Sequence, residues 1–378
     1  MKIIPLYLPQ FHQIPENDKW WGEGFTEWTN VKKAKPLFEG HYQPRIPLDG
    51  NYYDLSEVDT LRWQCKIAKE HGIYGFCFYH YWFNGKLLLE KPMELLLAHP
   101  EIDIDYCISW ANHNWEDSWK ASPGREKILI GHDFDDEQDW VAHFNYMLPF
   151  FKDSRYIKEE GKPLMTIYIP NIIGKLNKML ILWNQMAIDN GFVGLKYAFQ
   201  SAMSFHSKGW DRSMFTYAIE FEPGFTNNKK SILSSFNIMK YSNIIKKMLG
   251  IKKRIQKTRK EVALFDYDET WKKILSQKPS AINAIPSAFV DWDNTPRKQR
   301  SGTVYTGANP KKFKKYFKQL ILKARDEYKT DKIFLFAWNE WAEGGYLEPD
   351  EKYGYEYLEA VRDSLTETNE SIQNNYGQ

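Results

Sequence analysis

The chain has 378 residues, 43% hydrophobic, with a net charge of only +2, so it can bury one large core or two ordinary ones, and its global charge recruits neither nucleic acid nor an acidic partner. No run approaches the roughly 20 apolar residues of a membrane-spanning helix. Cys65, Cys77 and Cys107, odd in number and set in apolar surroundings, read as reduced core thiols and not as a disulfide frame or zinc site.

Met1-Lys2-Ile3-Ile4-Pro5 enters a strand at once, Ile3–Leu8, with an apolar run too short and Pro-broken for a secretion signal; a cytoplasmic protein is expected. The strand delivers Tyr7 and then a loop, Pro9 to Tyr53, dense in Trp, Gly and Pro. Within it Glu27 and Trp28, with Trp20 and Trp21, form either a sugar subsite wall or a self-packed Trp-rich loop. Leu55, Val58, Leu61, Cys65 and Ala68 fall at helical spacing, and Asp54 with Glu57 resembles a capping box.

A second buried strand, Ile73–Tyr79, delivers His80, Tyr81 and Trp82, and a third, Tyr106–Ala111, delivers Trp110, Asn112, His113, Asn114 and Trp115. Strands at Leu164–Ile169, Leu195–Gln200 and Met214–Ile219 follow. Residues 226–260 then read as an insertion. Its 229–260 stretch holds eleven Lys and Arg, no Asp or Glu, and interspersed Ile, Leu and Met. Two readings stay open there: a basic amphipathic helix at an anionic membrane surface, suited to lipid-linked glycans, or a solvated segment over the rim of the fold.

The strand Ala284–Val290 ends in Asp291-Trp292-Asp293, and Phe313, Phe317, Leu320, Ala324 and Tyr328 mark another helix. The last strand, Ile333–Trp338, is an unbroken apolar run, as expected when both faces are buried. It changes character abruptly to Asn339, Glu340, Trp341 and Glu343, and Gly344-Gly345 end any regular continuation. Residues 366–378 form a polar tail.

Eight strands alternating with helices predict a (β/α)8 TIM barrel over residues 1–365, with long strand-to-helix loops holding the surplus over the usual length of about 250 residues. A doubly wound nucleotide-sugar fold would place a Gly-rich turn after the first strand, where this chain has Leu8-Pro9-Gln10-Phe11. Barrel enzymes collect their chemistry at strand C-termini, and five such ends here are aromatic, amide and carboxylate in character.

Glu340 and Glu343 are the candidate catalytic pair: glycoside cleavage uses one group to protonate the leaving oxygen and a second on the anomeric side. Trp338, Asn339 and Trp341 beside them are candidate substrate contacts. Asp-x-Asp, a metal-nucleotide signature, occurs four times in a chain with 49 acidic residues, and only Asp291/Asp293 lies at a strand end, where Asp293 reads first as a sugar contact. The histidines lack close metal-ligand spacing. No metal site and no cofactor is assigned.

Several long motifs carry a family resemblance. Ile4-Pro5-Leu6-Tyr7-Leu8-Pro9-Gln10-Phe11-His12, Trp21 to Val31, Gly40-His41-Tyr42-Gln43-Pro44-Arg45, Tyr79 to Phe83, Asp293-Asn294-Thr295-Pro296-Arg297 and Trp338 to Gly344 resemble the WbsX-like family of bacterial surface-polysaccharide clusters. That family is similar to glycoside hydrolase family ninety-nine, endo-α-mannosidases and endomannanases with (β/α)8 barrels. The resemblance implies retention without a covalent glycosyl-enzyme. Glu340 would be a base toward the substrate's own 2-hydroxyl, giving a 1,2-anhydro sugar, and Glu343 the acid and then the base. It also leads Glu343 to be expected as the desolvated member, against Trp341 or another indole. His113 stands where the family commonly has an acidic residue, which puts in doubt the contact made there to a substrate hydroxyl and signals a different sugar.

The expected function is that of a retaining endo-type glycoside hydrolase or transglycosidase on a mannose-like, O-antigen or other surface-polysaccharide glycan. Two alternatives stay open: a glycosyltransferase of lipopolysaccharide or capsule assembly, and a non-catalytic glycan-binding protein.

Overall fold

The computed structural model describes residues 1–117, 127–200, 209–227 and 261–369. Eight parallel strands form its centre: β1 Lys2–Tyr7, β2 Gly75–Phe83, β3 Asp105–Trp110, β4 Lys162–Ile167, β5 Lys196–Phe199, β6 Phe215–Glu220, β7 Ala284–Phe289 and β8 Lys332–Phe336. Each pairs with the next in chain order, and Ile4 opposite Phe334 with Leu6 opposite Cys77 shows β1 seated between β8 and β2. The sheet is closed: a (β/α)8 barrel. All eight expected strands are barrel strands, because continuous apolar runs are what strands buried on both faces require.

Seven helices cover the barrel: α1 Val58–Glu70, α2 Lys91–Ala98, α3 Glu137–Lys152, α4 Leu176–Asp189, α5 Tyr267–Ser276, α6 Pro310–Lys323 and α7 Glu356–Glu367, among the described residues. The start of α6 shows the local logic. Asn309 Oδ1 accepts the Lys312 N–H at 2.9 Å, and Pro310 takes the first helical position, where no N–H is needed. Its buried stripe is Phe313, Phe317 and Leu320, and a π turn, Ala324–Tyr328, carries Ala324 and Tyr328 in the same row.

The expected capping box is not formed. Asp54 Oδ1 accepts the N–H of Ser56 at 2.7 Å, closing a turn, and α1 begins only at Val58 with no side-chain cap from Glu57. The 229–260 segment lies outside the described residues. The expected tail begins within α7, which runs to Glu367, and 370–378 lie outside the described residues. All three cysteines are buried and unpaired. No helix among the described residues is long and apolar enough to cross a membrane.

Candidate active site

Beyond β8 the chain folds back in a tight hairpin. Asn339–Glu340 pairs antiparallel with Gly345–Tyr346, and a 3-10 turn, Trp341–Glu343, joins them. Two glycines are obligatory in it. Gly344 has φ +70°, and a Cβ there would meet the Asp293 nitrogen at 2.8 Å; one on Gly345 would meet Phe336 Cε1 at 2.1 Å. The hairpin is fixed to β1 by Asn339, whose Oδ1 accepts the Leu8 N–H at 2.7 Å and whose Nδ2 donates to the Leu8 carbonyl at 2.9 Å. This geometry presents Glu340 and Glu343 together at the C-terminal end of the barrel.

Both line a cavity of about 440 Å³, a size suited to a small-molecule or sugar site. Leu8 and Gln10 follow β1, Tyr79 and Tyr81 belong to β2, and His113, Asn114 and Trp115 follow β3. Tyr168 comes after β4, Phe221 after β6, and Trp292 and Arg297 after β7. Tyr79, Tyr168, Phe221, Phe336 and Trp292 run as an aromatic arc with successive ring centroids 6.3, 6.2, 5.8 and 4.8 Å apart. Such faces and edges offer apolar surface to the C–H side of a pyranose ring.

Arg297 is the centre of the site's electrostatics. Its Nη1 lies 2.6 Å from Glu343 Oε1, its Nη2 3.3 Å from Glu340 Oε2, and its Nε 2.9 Å from Glu27 Oε1. Burial works against the guanidinium charge, but the three carboxylates outweigh it and hold its pKa above the ordinary value. Glu340 goes the other way from a normal carboxyl. Burial, with the charges of Glu343 and Glu27, pushes it up to about 8 despite Arg297. The desolvated member of the pair is therefore Glu340, contrary to the expectation for Glu343, whose side chain is 21% exposed against 7% for Glu340. The reason is Trp341. Its indole faces away from the carboxylates, donating to Glu348 Oε2 at 2.6 Å and stacking on Tyr346 at 3.8 Å.

Of the other candidate contacts, Tyr81, His113, Asn114 and Trp115 line the cavity. Burial holds His113 neutral, its pKa lowered to about 4. Asn114 Oδ1 accepts the His132 N–H at 3.0 Å, closing the loop after β3. The remaining candidates support the site from behind. Tyr7 donates to Gln64 Oε1 at 2.6 Å, between β1 and α1. Trp28 donates to the Tyr53 carbonyl at 2.8 Å and packs on Trp341. His80 meets His143 at 2.9 Å, Trp82 donates to Asp139 at 2.9 Å, and Trp110 packs against His143 and Trp183, all toward α3 and α4. Asn112 bridges the backbone of Ile169 in both directions at 2.8 Å. Trp338 is buried against Phe76. Along β2, His80 and Trp82 alternate with the lining Tyr79 and Tyr81, since consecutive strand residues face opposite sides.

Asp293 is fully enclosed. His41 Nε2 donates to it at 2.8 Å and Gln43 Nε2 at 2.7 Å, while Thr295 donates from both its N–H and its hydroxyl. Burial opposes its charge, but these donors and Arg45 bring its pKa down to about 2. Asp291 pairs with Arg45 at 2.7 Å. The strand-end Asp-x-Asp is thus a bracket for the Gly40–Arg45 loop, and neither carboxylate lines the cavity that holds Glu340 and Glu343. Among the described residues no group of three His, Cys, Asp or Glu side chains is placed to hold a metal ion.

Sequence reasoning missed Arg297, Tyr79, Tyr168, Phe221 and Trp292 as site residues. Arg297 was legible only as the end of Asp-Asn-Thr-Pro-Arg after β7. Its partners are 43 to 270 residues distant in sequence.

Comparison with known proteins agrees with this architecture. A family model described as Glycosyltransferase WbsX matches residues 3–361. A protein of Xanthomonas campestris pv. campestris strain B100, described as uncharacterized protein WxcX, is 32% identical over 366 residues, 96% of this chain and 49% of that protein. The WxcX protein of strain ATCC 33913 matches to the same extent. The chain spans about half the length of these curated relatives. Among solved structures, the GH99 endo-alpha-mannosidase from Bacteroides thetaiotaomicron superposes with a TM-score of 0.55 at 13% identity, covering 97% of both chains. A glycoside hydrolase-like protein gives the same score and identity over 96% of this chain and 93% of its own. At that identity the likeness establishes the barrel fold alone.

Proposed function

The chain belongs to the WbsX glycosyltransferase family, and from that premise we propose that its barrel-end cavity is the active site of an enzyme that cleaves or transfers a glycosidic bond with retention. The observation that carries this reading is the pairing of Glu340 with Glu343 on one turn, in an aromatic cavity, across a single guanidinium. The two carboxyls sit in different environments, Glu340 deeply buried and raised, Glu343 closer to Arg297, as an acid–base pair requires, and the roles below call for the proton to pass from Glu340 to Glu343 first.

In this reading Glu340 takes a proton from the substrate's 2-hydroxyl and Glu343 protonates the leaving oxygen, then activates the incoming acceptor. The acceptor is water in hydrolysis and a sugar hydroxyl in transglycosylation. Tyr81, Trp115 and the aromatic arc receive the sugar faces. The substrate class proposed is a mannose-like or surface-polysaccharide glycan, cut within the chain, in keeping with the likeness of the fold to an endo-alpha-mannosidase.

The family's description favours a second reading, transfer from a nucleotide sugar. A nucleotide diphosphate calls for several free cationic or N–H donors. Arg297 is the one Lys or Arg among the described residues lining the cavity, and three carboxylates already occupy it. Mass-spectrometric product analysis on α-mannosides and O-antigen fragments decides between the readings. Retained products without any nucleotide sugar are expected. Products appearing only when a nucleotide sugar is added would overturn the proposal.

A further inference from the structure

The site holds three carboxylates and one guanidinium at its centre, and the three contacts are unequal. Arg297 is 2.6 Å from Glu343, 2.9 Å from Glu27 and 3.3 Å from Glu340. Glu27 is fully buried. One oxygen binds Arg297 and, at 3.1 Å, Asn30 Nδ2, while Oε2 is buried with no hydrogen-bond partner. That arrangement makes Glu27 an anchor for the guanidinium on the side away from the cavity, which Glu27 does not line.

We propose that Arg297, anchored by Glu27, is a positioning residue that moves its close ion pair from Glu343 to Glu340 while one proton passes from Glu340 to Glu343. The tight contact in the structure is with Glu343, and the burial that raises Glu340 favours the proton there. As a glycan binds, the Glu340 carboxyl gives its proton to a substrate hydroxyl or water, which passes one on to the Glu343 carboxylate. Glu340 is then the anion and takes the close contact with Nη2, and Glu343 is the acid facing the leaving oxygen. No net charge enters or leaves, which matters because an uncompensated charge at this depth is costly. The inference rests on the acid–base reading of the pair given above.

Among the described residues, the other titratable groups facing this centre do not compete for the proton. Tyr79 and Tyr81 from β2 and Tyr168 after β4 have pKa values raised by burial and by the neighbouring carboxylates, and so remain neutral phenols. His113 is neutral, and Glu116 stands at the exposed rim. Among the described residues the charges that set the balance are Arg297, Glu27, Glu340 and Glu343.

The two arms of the device predict opposite effects. Glu27→Gln removes a negative charge and leaves more of the guanidinium for the pair, so the shared proton should be lost at lower pH. Arg297→Gln removes the positive charge and should raise the same titration. Nearby charges typically move a carboxyl by about one pH unit or more. The direct test is carbon-13 NMR titration of glutamate side-chain carboxyls in the intact protein, with Glu340→Gln and Glu343→Gln for assignment. Expected are a downward shift in Glu27→Gln and an upward shift in Arg297→Gln. If Arg297→Gln does not fold, Arg297→Lys retains the charge without the fork: its titration should stay near wild type while kcat falls and KM is little changed. Unmoved titrations, or shifts in one common direction, would overturn the proposal. Because the titration needs no turnover, opposed shifts in a protein that cleaves no glycan would sustain the positioning role of Arg297 and defeat the functional reading.

Discussion

Trp341 donates its indole N–H to Glu348 Oε2 at 2.6 Å, so the tryptophan between Glu340 and Glu343 is turned out of the cavity and tied to a buried carboxylate. Glu348 also accepts from Gln64 Nε2 at 2.7 Å and Tyr53 Oη at 2.8 Å. Tyr7 donates to Gln64 in turn, linking the turn that carries both carboxylates to β1 and α1.

Glu348→Gln should therefore destabilise the protein and misplace the pair. An amide turns an N–H₂ toward at least one of the three donors, and a buried unsatisfied group costs about 1–3 kcal/mol. The denaturation midpoint should fall with an unchanged m-value, and kcat should fall more than KM rises. An unchanged midpoint and kcat would show that the network does not hold the turn.

The raised carboxyl of Glu340 makes a signed prediction for stability. Folded, it keeps its proton up to about 8; unfolded, it loses it near 4.5. Between those values the native state binds more protons, so stability is fully present below 4.5 and falls as pH rises through 8. Glu348, raised by burial to about 7, acts in the same direction. Buried histidines oppose it at lower pH. His80 is lowered to about 3 and His113 to about 4, so each adds stability as pH rises toward 6.5. The clean window is pH 6.5 to 8. There the melting temperature of the wild type should decline, and that of Glu340→Gln should decline less. Parallel curves would contradict the assignment.

The barrel was legible because its strands are continuous apolar runs, and the catalytic candidates because Glu340 and Glu343 break such a run at its end. Their surroundings were not legible. Whether His80 or Tyr81 faces the cavity depends on the parity of β2 against the barrel axis, which an apolar run without alternation does not show. The Trp-rich first loop offered Trp20, Trp21 and Trp28 as a sugar wall or as a self-packed loop; Trp21 lines the cavity, whereas Trp28 packs on Trp341. Asp293 reads as a sugar contact in the sequence because nothing local announces His41 and Gln43, 252 and 250 residues away. Arg297 was hidden for the same reason.

Turnover should require neither a nucleotide sugar nor a divalent cation. The Asp-x-Asp at the end of β7 is occupied, Asp291 by Arg45 and Asp293 by His41 and Gln43. Activity assayed in excess chelator should equal that in buffer. Loss of turnover in chelator, restored by manganese or magnesium, would contradict this and favour the transferase reading.

Deletion of residues 231–259 should leave the barrel folded, because every barrel strand lies outside that range. If the eleven basic residues of 229–260 serve an anionic membrane, the wild type should co-sediment with anionic liposomes in a salt-sensitive way and the deletion variant should not. Equal sedimentation of the two would remove the membrane role.

The most direct test of the account is turnover by Glu340→Gln and Glu343→Gln on two kinds of substrate. Each variant should lose about 10²–10⁴-fold in kcat on a natural glycan, the usual contribution of acid–base catalysis, with glycan affinity largely kept because the aromatic arc is untouched. On an activated aryl glycoside, whose leaving group needs no proton, Glu343→Gln should retain activity and Glu340→Gln should not. A Glu343→Gln enzyme that turns over its natural glycan at the wild-type rate would contradict the central claim that this pair performs the chemistry.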